Sequence, residues 1–354
     1  MNLAPKVTVF IPVYNHVRYG GAAIESILVQ DFCNSELLLI DDGSTDGSVE
    51  ITQGYCRDPR VRLVRNETNL GIPKIRNRGI TLARGRNLAL LDSDDIAHPS
   101  RLGKQVDFPD HHPTYALVGA WTGGMTDRGT FLHTFRLLPV SPGEIRARLL
   151  SHCFPAQSSV MIRTAIAREY GYREDYTVSS DYYLWVRLAQ RFPFGNLRTV
   201  LVRSRMHKER VTREKTHLVK DHCLGIISAQ LQELEVTTTQ EDLENHFLLL
   251  RMQKRQSLPD HDYLAWADGW LQTLQAANCR ALGERHTRYW VHASQRRLRC
   301  ARLWWLLVPK CSRMGSANHP VADGLRLRVG LGTTVNAGEG TAVVGGRDGV
   351  DLTH

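Results

Sequence analysis

The chain has 354 residues, a hydrophobic fraction of 42% and a formal net charge of +9. This length and apolar content suffice for one large domain or two smaller ones with a buried core. We expect neither a transmembrane helix nor a secretory signal, since no apolar stretch is long enough and the first strand begins at once. The seven cysteines are scattered and never form a C-x-x-C pair, which favours a reducing cytosol and argues against a zinc site.

The first part of the chain alternates apolar strand patterns with helix patterns. Strands are expected at 7–13, 37–40, 61–64 and 88–91, and helices at 19–30, 49–55 and 72–83. Such short alternation predicts an α/β fold, a Rossmann-like and mostly parallel sheet with helices on both faces. Ligands of such sheets bind outside the carboxyl ends of the strands.

Three carboxylates, Asp92, Asp94 and Asp95, follow the fourth predicted strand. Crowded like charges repel, so a divalent cation with oxygen ligands, Mn2+ or Mg2+, would account for the arrangement. Asp92 and Asp94 face the same way along an extended backbone, and a cation between them could hold a diphosphate. Alternatively, Asp94 and Asp95 are only turn and N-cap residues before a helix at Pro99.

Polar groups also follow the first two strands, Tyr14 and Asn15 after one and Asp41 and Asp42 after the other. They should converge with the acidic triplet in one crevice. Asp41 could accept a hydrogen bond from a uracil or thymine imide or from a ribose hydroxyl, although D-D-G-S is also a good turn. Neither a P-loop motif nor, in the first β-α turn, G-x-G-x-x-G is present, so a nucleotide is not held as in P-loop or NAD enzymes.

Four segments in this order resemble family 2 glycosyltransferases, the inverting group with a GT-A fold that uses nucleotide-sugar donors. They read VTVFIPVYN, ELLLIDDGSTDGS, NLGIPKIRNRGITLARG and LALLDSDD, and the resemblance extends from about Val7 to about Arg213. It implies a metal-dependent glycosyltransferase domain at 1–213. That domain would move a sugar from a UDP- or dTDP-sugar to an acceptor hydroxyl in cell-surface polysaccharide or glycoconjugate synthesis.

On the nucleotide side, the resemblance implies roles for five residues. Pro12 and Tyr14 would line the base pocket, and Asp41 would bond the base. Asn69 and Arg76 would reach the base, the ribose or the phosphates. A guanidinium suits diphosphate, although Arg76 could instead be an exposed arginine on its helix.

On the phosphate side, the resemblance places Asp92 on the ribose and Asp94 on the metal. The segment VRSRMHKERVTR resembles the family's R-x-H segment and contains Arg205 and His207. Arg205 would contact phosphate, and His207 is a candidate third metal ligand or phosphate contact. An isolated histidine is also often structural or exposed.

On the acceptor side, GYREDYTVSSDYYLWVRLAQR resembles the block that carries the general base, and Asp181 falls on that base. Inverting transfer needs one carboxylate to take the proton of the acceptor hydroxyl. Alternatively, Ser179, Ser180 and Asp181 only cap the helix expected at 182–190. Ser180 departs from the family's glutamate before the base, which leaves a second acidic contact to the acceptor unsupported.

Beyond residue 213, helices are expected at 218–234, 241–256 and 260–279, within a helical C-terminal domain at 214–311. A basic helix at 280–307 carries tryptophan among arginines, which suits either a membrane surface or packing on the neighbouring helices. The glycine-rich tail at 312–354 is expected to be disordered. The stretch 121–136 is expected to be a loop.

The partners expected from these features are a nucleotide sugar and a saccharide or lipid-linked acceptor, and no nucleic acid is expected. The expected location is the cytoplasm, with a peripheral position on the inner face of the membrane as an option. Two alternatives remain, a sugar nucleotidyltransferase on a similar fold and a non-catalytic basic protein that binds nucleic acid or lipid.

Overall fold

The computed structural model describes residues 4–150, 152–207, 216–250 and 261–282, together with three short strands nearer the C-terminus. The main strands are β1 (Val7–Val13), β2 (Ser35–Asp41), β3 (Val61–Arg65), β4 (Asn87–Leu90), β5 (Ile96–Ala97), β6 (Leu117–Thr126), β7 (Phe131–Arg136), β8 (Met161–Arg163) and β9 (Phe194–Met206). The helices are α1 (Gly20–Leu28), α2 (Ser48–Gly54), α3 (Ile72–Leu82), α4 (Arg101–His111), α5 (Pro142–Leu149), α6 (Thr164–Tyr170), α7 (Ser180–Ala189), α8 (Thr216–Glu233), α9 (Gln240–Leu250) and α10 (His261–Leu282).

The main strands form one sheet in the order β3-β2-β1-β4-β8-β6-β9-β5, and β7 pairs with β6. Strands β1 to β4 are mutually parallel, which confirms the predicted α/β fold. The short strand β8 runs antiparallel to both β4 and β6, whereas β9 is parallel to β6. Because β1 lies between β2 and β4, the chain leaves both of these strands at the same edge of the sheet.

The expectation of a loop at 121–136 was wrong, because this stretch contains the end of β6 and all of β7. Two adjacent glycines, Gly123 and Gly124, interrupt the alternation of apolar and polar residues that would identify a strand in the sequence. A Cβ at the first position would lie 2.3 Å from the Arg203 guanidinium, so this long side chain would have to move. A second strand packed this closely is not readable from propensity alone.

The hydrophobic core lies on both faces of the sheet. Along β1, Val9 and Ile11 face one core while Phe10 faces the other. This alternation follows from the period of two in a strand. Both faces are covered, so the central strands read as continuous apolar runs in the sequence.

The C-terminal helices pack onto the α/β part without a break in the core. Trp185 of α7, Ile226 of α8 and Leu274 of α10 belong to one buried cluster. The Gln230 side chain also donates to the carbonyl oxygen of Leu149 at 3.3 Å. The segments on the two sides of the domain boundary expected at residue 213 therefore share one hydrophobic core.

Two expectations near the C-terminus differ from the structure. Helix α10 continues through Leu282, so the boundary expected at 279–280 was wrong, and residues 283–307 lie outside the described residues. In the tail expected to be disordered, β10 (Leu327–Val329), β11 (Thr333–Val335) and β12 (Ala342–Val344) form a small antiparallel sheet. None of the described helices is long and apolar enough to cross a bilayer.

Candidate active site

The acidic triplet lies where β4 ends. Carboxylate oxygens of Asp92, Asp94 and Asp95 all lie within 4.8 Å of one another. A backbone hydrogen bond from Asp95 N–H to the Asp92 carbonyl, 3.1 Å long, turns the chain sharply here. The next long helix, α4, begins only at Arg101. The acids therefore lie in a turn, as one part of the alternative had it, whereas the N-cap position of α4 is Ser100 and not Asp94 or Asp95.

The three carboxylates differ in how far the protein already satisfies them. Asp95 is 3% exposed, and its two oxygens accept from the Ser204 hydroxyl at 3.1 Å and the Arg205 N–H at 3.0 Å. Asp92 accepts from the Ser158 hydroxyl at 2.9 Å. Asp94 Oδ2 lies 2.9 Å from His207 Nε2. Asp94 thus keeps the most coordination capacity, in line with its predicted role as metal ligand.

Mutual repulsion in this cluster is visible in the pKa values. Burial raises the pKa of Asp95, and the charges of Asp94 and Asp92 raise it further. Burial also raises the pKa of Asp92, against the opposing positive charge of Arg76. A cluster of this kind gains stability from any cation that neutralises it.

The donor set fits a divalent cation. Carboxylate oxygens with one imidazole nitrogen suit Mn2+ or Mg2+, whereas thiolates would be expected for a structural zinc site. His207 is 7% exposed, and its Nε2 lies 2.9 Å from Asp94 Oδ2, so the two side chains could share a cation. Its buried Nδ1 meets no hydrogen-bond partner in the described part of the chain.

Arg205 lies behind the acidic cluster and is only 4% exposed. Its guanidinium donates to the carbonyl of Asp94 at 2.9 Å and to the carbonyl of Asp127 at 2.8 Å. It also lies over the ring of Tyr19, 4.8 Å from the ring centre. Arg205 thus holds the backbone of this region in place. To contact a phosphate, as predicted, its guanidinium would first have to give up its hydrogen bonds to these carbonyls.

A buried arginine that the sequence analysis missed supports the cluster from below. Arg101 has no exposed surface, and its guanidinium donates to the Leu90 carbonyl at 2.7 Å and to Gln105 at 3.0 Å. Burial lowers its pKa to about 9, although the charges of Asp95 and Asp92 oppose the change. In the sequence, Arg101 could have been identified by its position in the first turn of the helix that follows the acidic triplet.

The predicted base pocket lies at the ends of β1 and β2. Tyr14 is 44% exposed, Pro12 is partly buried and Asn69 is exposed. Asp41 has no exposed surface; its Oδ2 accepts from the Ser44 N–H at 3.3 Å, whereas no donor contacts its Oδ1 within the described residues. The structure thus brings these residues to one edge but encloses Asp41.

Asp42, which the sequence analysis left without a role, organises the loop above this pocket. Its carboxylate accepts from the N–H groups of Leu70 and Gly71, at 3.0 and 3.1 Å, and from the side chain of Asn66. Glycine at position 43 is required beneath the loop, because φ is +74° and a Cβ would lie 2.9 Å from the Thr68 backbone. In the sequence, the role of Asp42 could have been suspected from its place as the second aspartate of D-D-G-S.

Arg76 links the acidic cluster to the helix that carries the predicted base. Its side chain is 12% exposed, with Nη2 3.6 Å from Asp92 Oδ1 and Nη1 3.4 Å from the Ser180 hydroxyl. The alternative of an exposed surface arginine was therefore wrong. The guanidinium also lies 5.4 Å from the centre of the Tyr172 ring.

Asp181 lies in the first turn of α7 and is partly exposed. Its Oδ1 accepts from the N–H of Tyr182 at 2.9 Å, and its Oδ2 from the thiol of Cys153 at 3.6 Å. The preceding Ser179 has φ of +56° and makes no capping hydrogen bond, and Ser180 contacts Arg76 instead. Ser179 and Ser180 therefore do not cap α7 through their side chains, whereas Asp181 satisfies one N–H group of the first turn.

Residues 8–171 match the family described as Glycosyl transferase family 2. EpsE of Bacillus subtilis (strain 168), named as a glycosyltransferase, is 33% identical over 236 residues, covering 65% of this chain and 83% of EpsE. The chain belongs to glycosyl transferase family 2. Chondroitin synthase of Escherichia coli is a further relative of this glycosyltransferase, 26% identical over 238 residues that cover 66% of the chain and 33% of the synthase.

Solved structures share the fold of this family 2 enzyme. S. aureus TarS 1–349 in complex with UDP-GlcNAc has a TM-score of 0.55 at 17% identity, covering 82% of this chain and 92% of that chain. The mannosyltransferase PcManGT from Pyrobaculum calidifontis, in complex with GDP-Man and Mn2+, has a TM-score of 0.52 at 16% identity, covering 85% and 87%. These likenesses confirm the predicted GT-A fold. The family match and the two relatives confirm the assignment of the chain as a glycosyltransferase.

Proposed function

We propose that this enzyme is a metal-dependent inverting glycosyltransferase that uses a nucleoside-diphosphate sugar, with a UDP-sugar as the first candidate. The observation that carries the proposal is the pair of carboxylate sites on either side of Arg76. This arginine reaches Asp92 in the acidic cluster and Ser180 beside Asp181. On one side of Arg76 the acidic cluster would hold the cation, and on the other side Asp181 would supply a separate carboxylate as the base.

Asp94 and His207 would hold the cation, which when bound would neutralise the leaving diphosphate. Asp92 would contact the ribose, while Pro12, Tyr14, Asp41 and Asn69 would form the base pocket. The structures of TarS with UDP-GlcNAc and of PcManGT with GDP-Man and Mn2+ support a nucleotide-sugar donor and a divalent metal in this fold.

Asp181 would take the proton of the acceptor hydroxyl as that oxygen bonds to the anomeric carbon. The bond from this carbon to the donor phosphate breaks in the same displacement, and its electron pair stays on the nucleoside diphosphate. Attack from the opposite face inverts the anomeric configuration. The Tyr182 N–H and the Cys153 thiol hold the two oxygens of Asp181 in place.

The acceptor is proposed to be a saccharide or a lipid-linked saccharide in cell-surface glycan synthesis. The relative chondroitin synthase, whose name indicates synthesis of a polysaccharide, supports a saccharide acceptor. Membership of the family favours sugar transfer over the nucleotidyltransferase and the non-catalytic binding protein. A nucleotidyltransferase would release pyrophosphate, whereas transfer releases UDP.

The test incubates the full chain with UDP-sugars, with and without Mn2+, and measures UDP release and the anomeric configuration of the product. Asp94→Asn is expected to lower turnover about a hundredfold or more, and Asp181→Asn by a similar or larger factor. The exposed Asp107 provides the control, since Asp107→Asn should behave as wild type.

Thermal shift separates the two roles. Asp94→Asn should lose the Mn2+-dependent rise in Tm with UDP, whereas Asp181→Asn should keep it, because only the former touches the cation site. An Asp94→Asn variant that keeps the Mn2+-dependent shift would contradict the metal assignment. Pyrophosphate release would contradict the proposed reaction.

A further inference from the structure

The hairpin of β6 and β7 exposes apolar side chains that the catalytic site does not use. Phe131, Phe135 and Leu137 are 57%, 43% and 50% exposed. They are three of the seven large hydrophobic side chains exposed in the described part of the chain. The short strand β12 approaches β7, and the three side chains stay exposed in its presence. These three side chains are called the β7 patch below.

Positive charge surrounds the β7 patch. The Arg203 guanidinium lies over both rings, 4.9 Å from the centre of Phe131 and 5.4 Å from that of Phe135. Arg128 and Arg136 are exposed on the same hairpin. A cluster of exposed rings rimmed by guanidinium groups combines an apolar surface with a cationic one.

Negative charge is scarce around the same hairpin. The sequence contains no acid between Asp127 and Glu144. Asp127 itself is paired with Arg18, at 2.9 Å. The hairpin therefore presents an excess of positive charge to any surface that it meets.

The hairpin borders the cleft on two sides. Two carbonyls of its turn accept from Arg205, whose Nε donates to the carbonyl of Asp94 at 2.9 Å. At the other end, burial raises the pKa of the Cys153 thiol and Asp181 adds to this rise, whereas the charge of Arg136 opposes it. The end of β7 thus lies near the acceptor side of the cleft.

We propose that the β7 patch docks the enzyme on an anionic lipid bilayer, with the aromatic rings in the interface and the arginines on the headgroups. Phe and Leu side chains offer no hydrogen-bonding groups to a free saccharide. In a bilayer, by contrast, the apolar rings can enter the boundary between headgroups and acyl chains while the arginines contact anionic headgroups. The orientation rests on the proposed function, because it turns the acceptor side of the cleft towards a lipid-linked acceptor.

The test measures co-sedimentation of the full chain with phosphatidylcholine vesicles that contain or lack phosphatidylglycerol. Wild-type protein is expected to sediment with the anionic vesicles, and added salt should weaken this binding. Phe131→Ser combined with Phe135→Ser should lower the partition coefficient about tenfold or more. Arg128→Gln should lower it about fivefold on anionic vesicles alone.

Val29→Ser is the matched control, since Val29 is 63% exposed at the end of α1, away from the hairpin. This variant should bind as wild type. Phe131→Trp should retain binding, because tryptophan suits the interface. That variant keeps the test decisive even if the double serine variant fails to fold.

Equal sedimentation of the double serine variant and the wild type overturns the proposal, as does a wild type that stays in the supernatant. Loss of self-association in the double variant, measured by sedimentation velocity without vesicles, would assign the patch to a second copy of the chain and also overturn it. UDP release without vesicles is measured separately. Its absence in the wild type contradicts the proposed function and leaves the vesicle result intact.

Discussion

At the scale of residues, the site separates charges that would otherwise repel. Arg76 lies between Asp92 and the start of the base helix, and Arg101 is buried beneath the acidic triplet. Arg76 contacts a carboxylate and a hydroxyl, whereas Arg101 donates to two backbone carbonyls and to the Gln105 side chain. Removing such a buried partner commonly costs about 3 to 5 kcal/mol, because the remaining charge is left uncompensated. These two arginines therefore support the site as well as the fold.

The contact between Cys153 and Asp181 can be tested through thiol reactivity. Burial raises the pKa of the Cys153 thiol well above its usual value, and the Asp181 carboxylate contributes to this rise. Iodoacetamide should thus label Cys153 slowly at neutral pH, while the exposed Cys33 and Cys56 react fast. In Asp181→Asn the labelling rate of Cys153 should increase, because this variant removes a carboxylate charge that raises the pKa of the thiol.

Peptide mapping by mass spectrometry gives the labelling rate at each cysteine. Asp175→Asn is the control, since Asp175 is exposed and pairs with Arg173 instead. Equal labelling rates of Cys153 in Asp181→Asn and in the wild type would show that the two side chains do not interact in solution.

At the scale of elements, the sheet and helix α3 meet with almost no space between them. A Cβ on Gly79 would lie 2.6 Å from the ring of Phe10, which is 1% exposed and cannot move aside. Gly79→Ala should therefore lower the free energy of unfolding by about 1 to 3 kcal/mol through overpacking. Urea denaturation measures this change as a lower midpoint at constant slope.

Gly54→Ala provides the comparison. Gly54 ends α2 with φ of −56°, and nothing lies within 4 Å of a Cβ built there. This substitution should be neutral or slightly stabilising, since it restricts only the unfolded chain. Equal destabilisation by both substitutions would argue against close packing as the cause.

Sequence alone predicted the parallel strands β1 to β4, because fully buried strands read as apolar runs with polar ends. It also predicted that the polar groups after β1, β2 and β4 meet at one edge, since strand ends in such sheets share an edge. The family resemblance named Asp94 and His207, which the structure places 2.9 Å apart. It missed the strands that follow β4, namely β5, β6, β7, β8 and β9, of which the antiparallel β8 has only three residues and no readable pattern. It also missed Arg101 and Ser158, because their contacts with the cluster depend on tertiary packing.

At the scale of the whole molecule, a buried histidine connects the C-terminal helices to the α/β part. His246 has no exposed surface; its Nε2 lies 2.8 Å from the Leu150 carbonyl, and its Nδ1 accepts from the Trp270 indole at 2.9 Å. Both nitrogens are satisfied only in the neutral ring. Burial accordingly lowers the pKa of His246 from 6.5 to about 4.

This pKa makes the stability of the fold depend on pH. Between pH 6.5 and pH 4 the unfolded chain binds a proton at His246 that the folded chain does not. The free energy of unfolding should therefore fall as the pH drops through this window, by up to about 3 kcal/mol from this group. Urea denaturation at a series of pH values measures the slope.

His246→Gln should flatten the slope in this window, because glutamine does not titrate. His111 is exposed, so His111→Gln should leave the slope unchanged. If His246→Gln retained the wild-type slope, other groups would have to carry the pH dependence.

Asp41 holds a carboxylate oxygen where no solvent reaches it, beneath a loop that Asp42 anchors at Leu70 and Gly71. If Asp41 bonds the nucleobase as proposed, the groups that bury this oxygen have to move first, so encounter and productive docking become separate kinetic steps. Stopped-flow traces of UDP binding should then reach a ceiling rate at high UDP concentration, because opening is unimolecular. Asp42→Asn would weaken the hydrogen bonds from Leu70 and Gly71 and should raise this limiting rate. A binding rate that stays linear in UDP concentration would instead indicate a pocket that is already open.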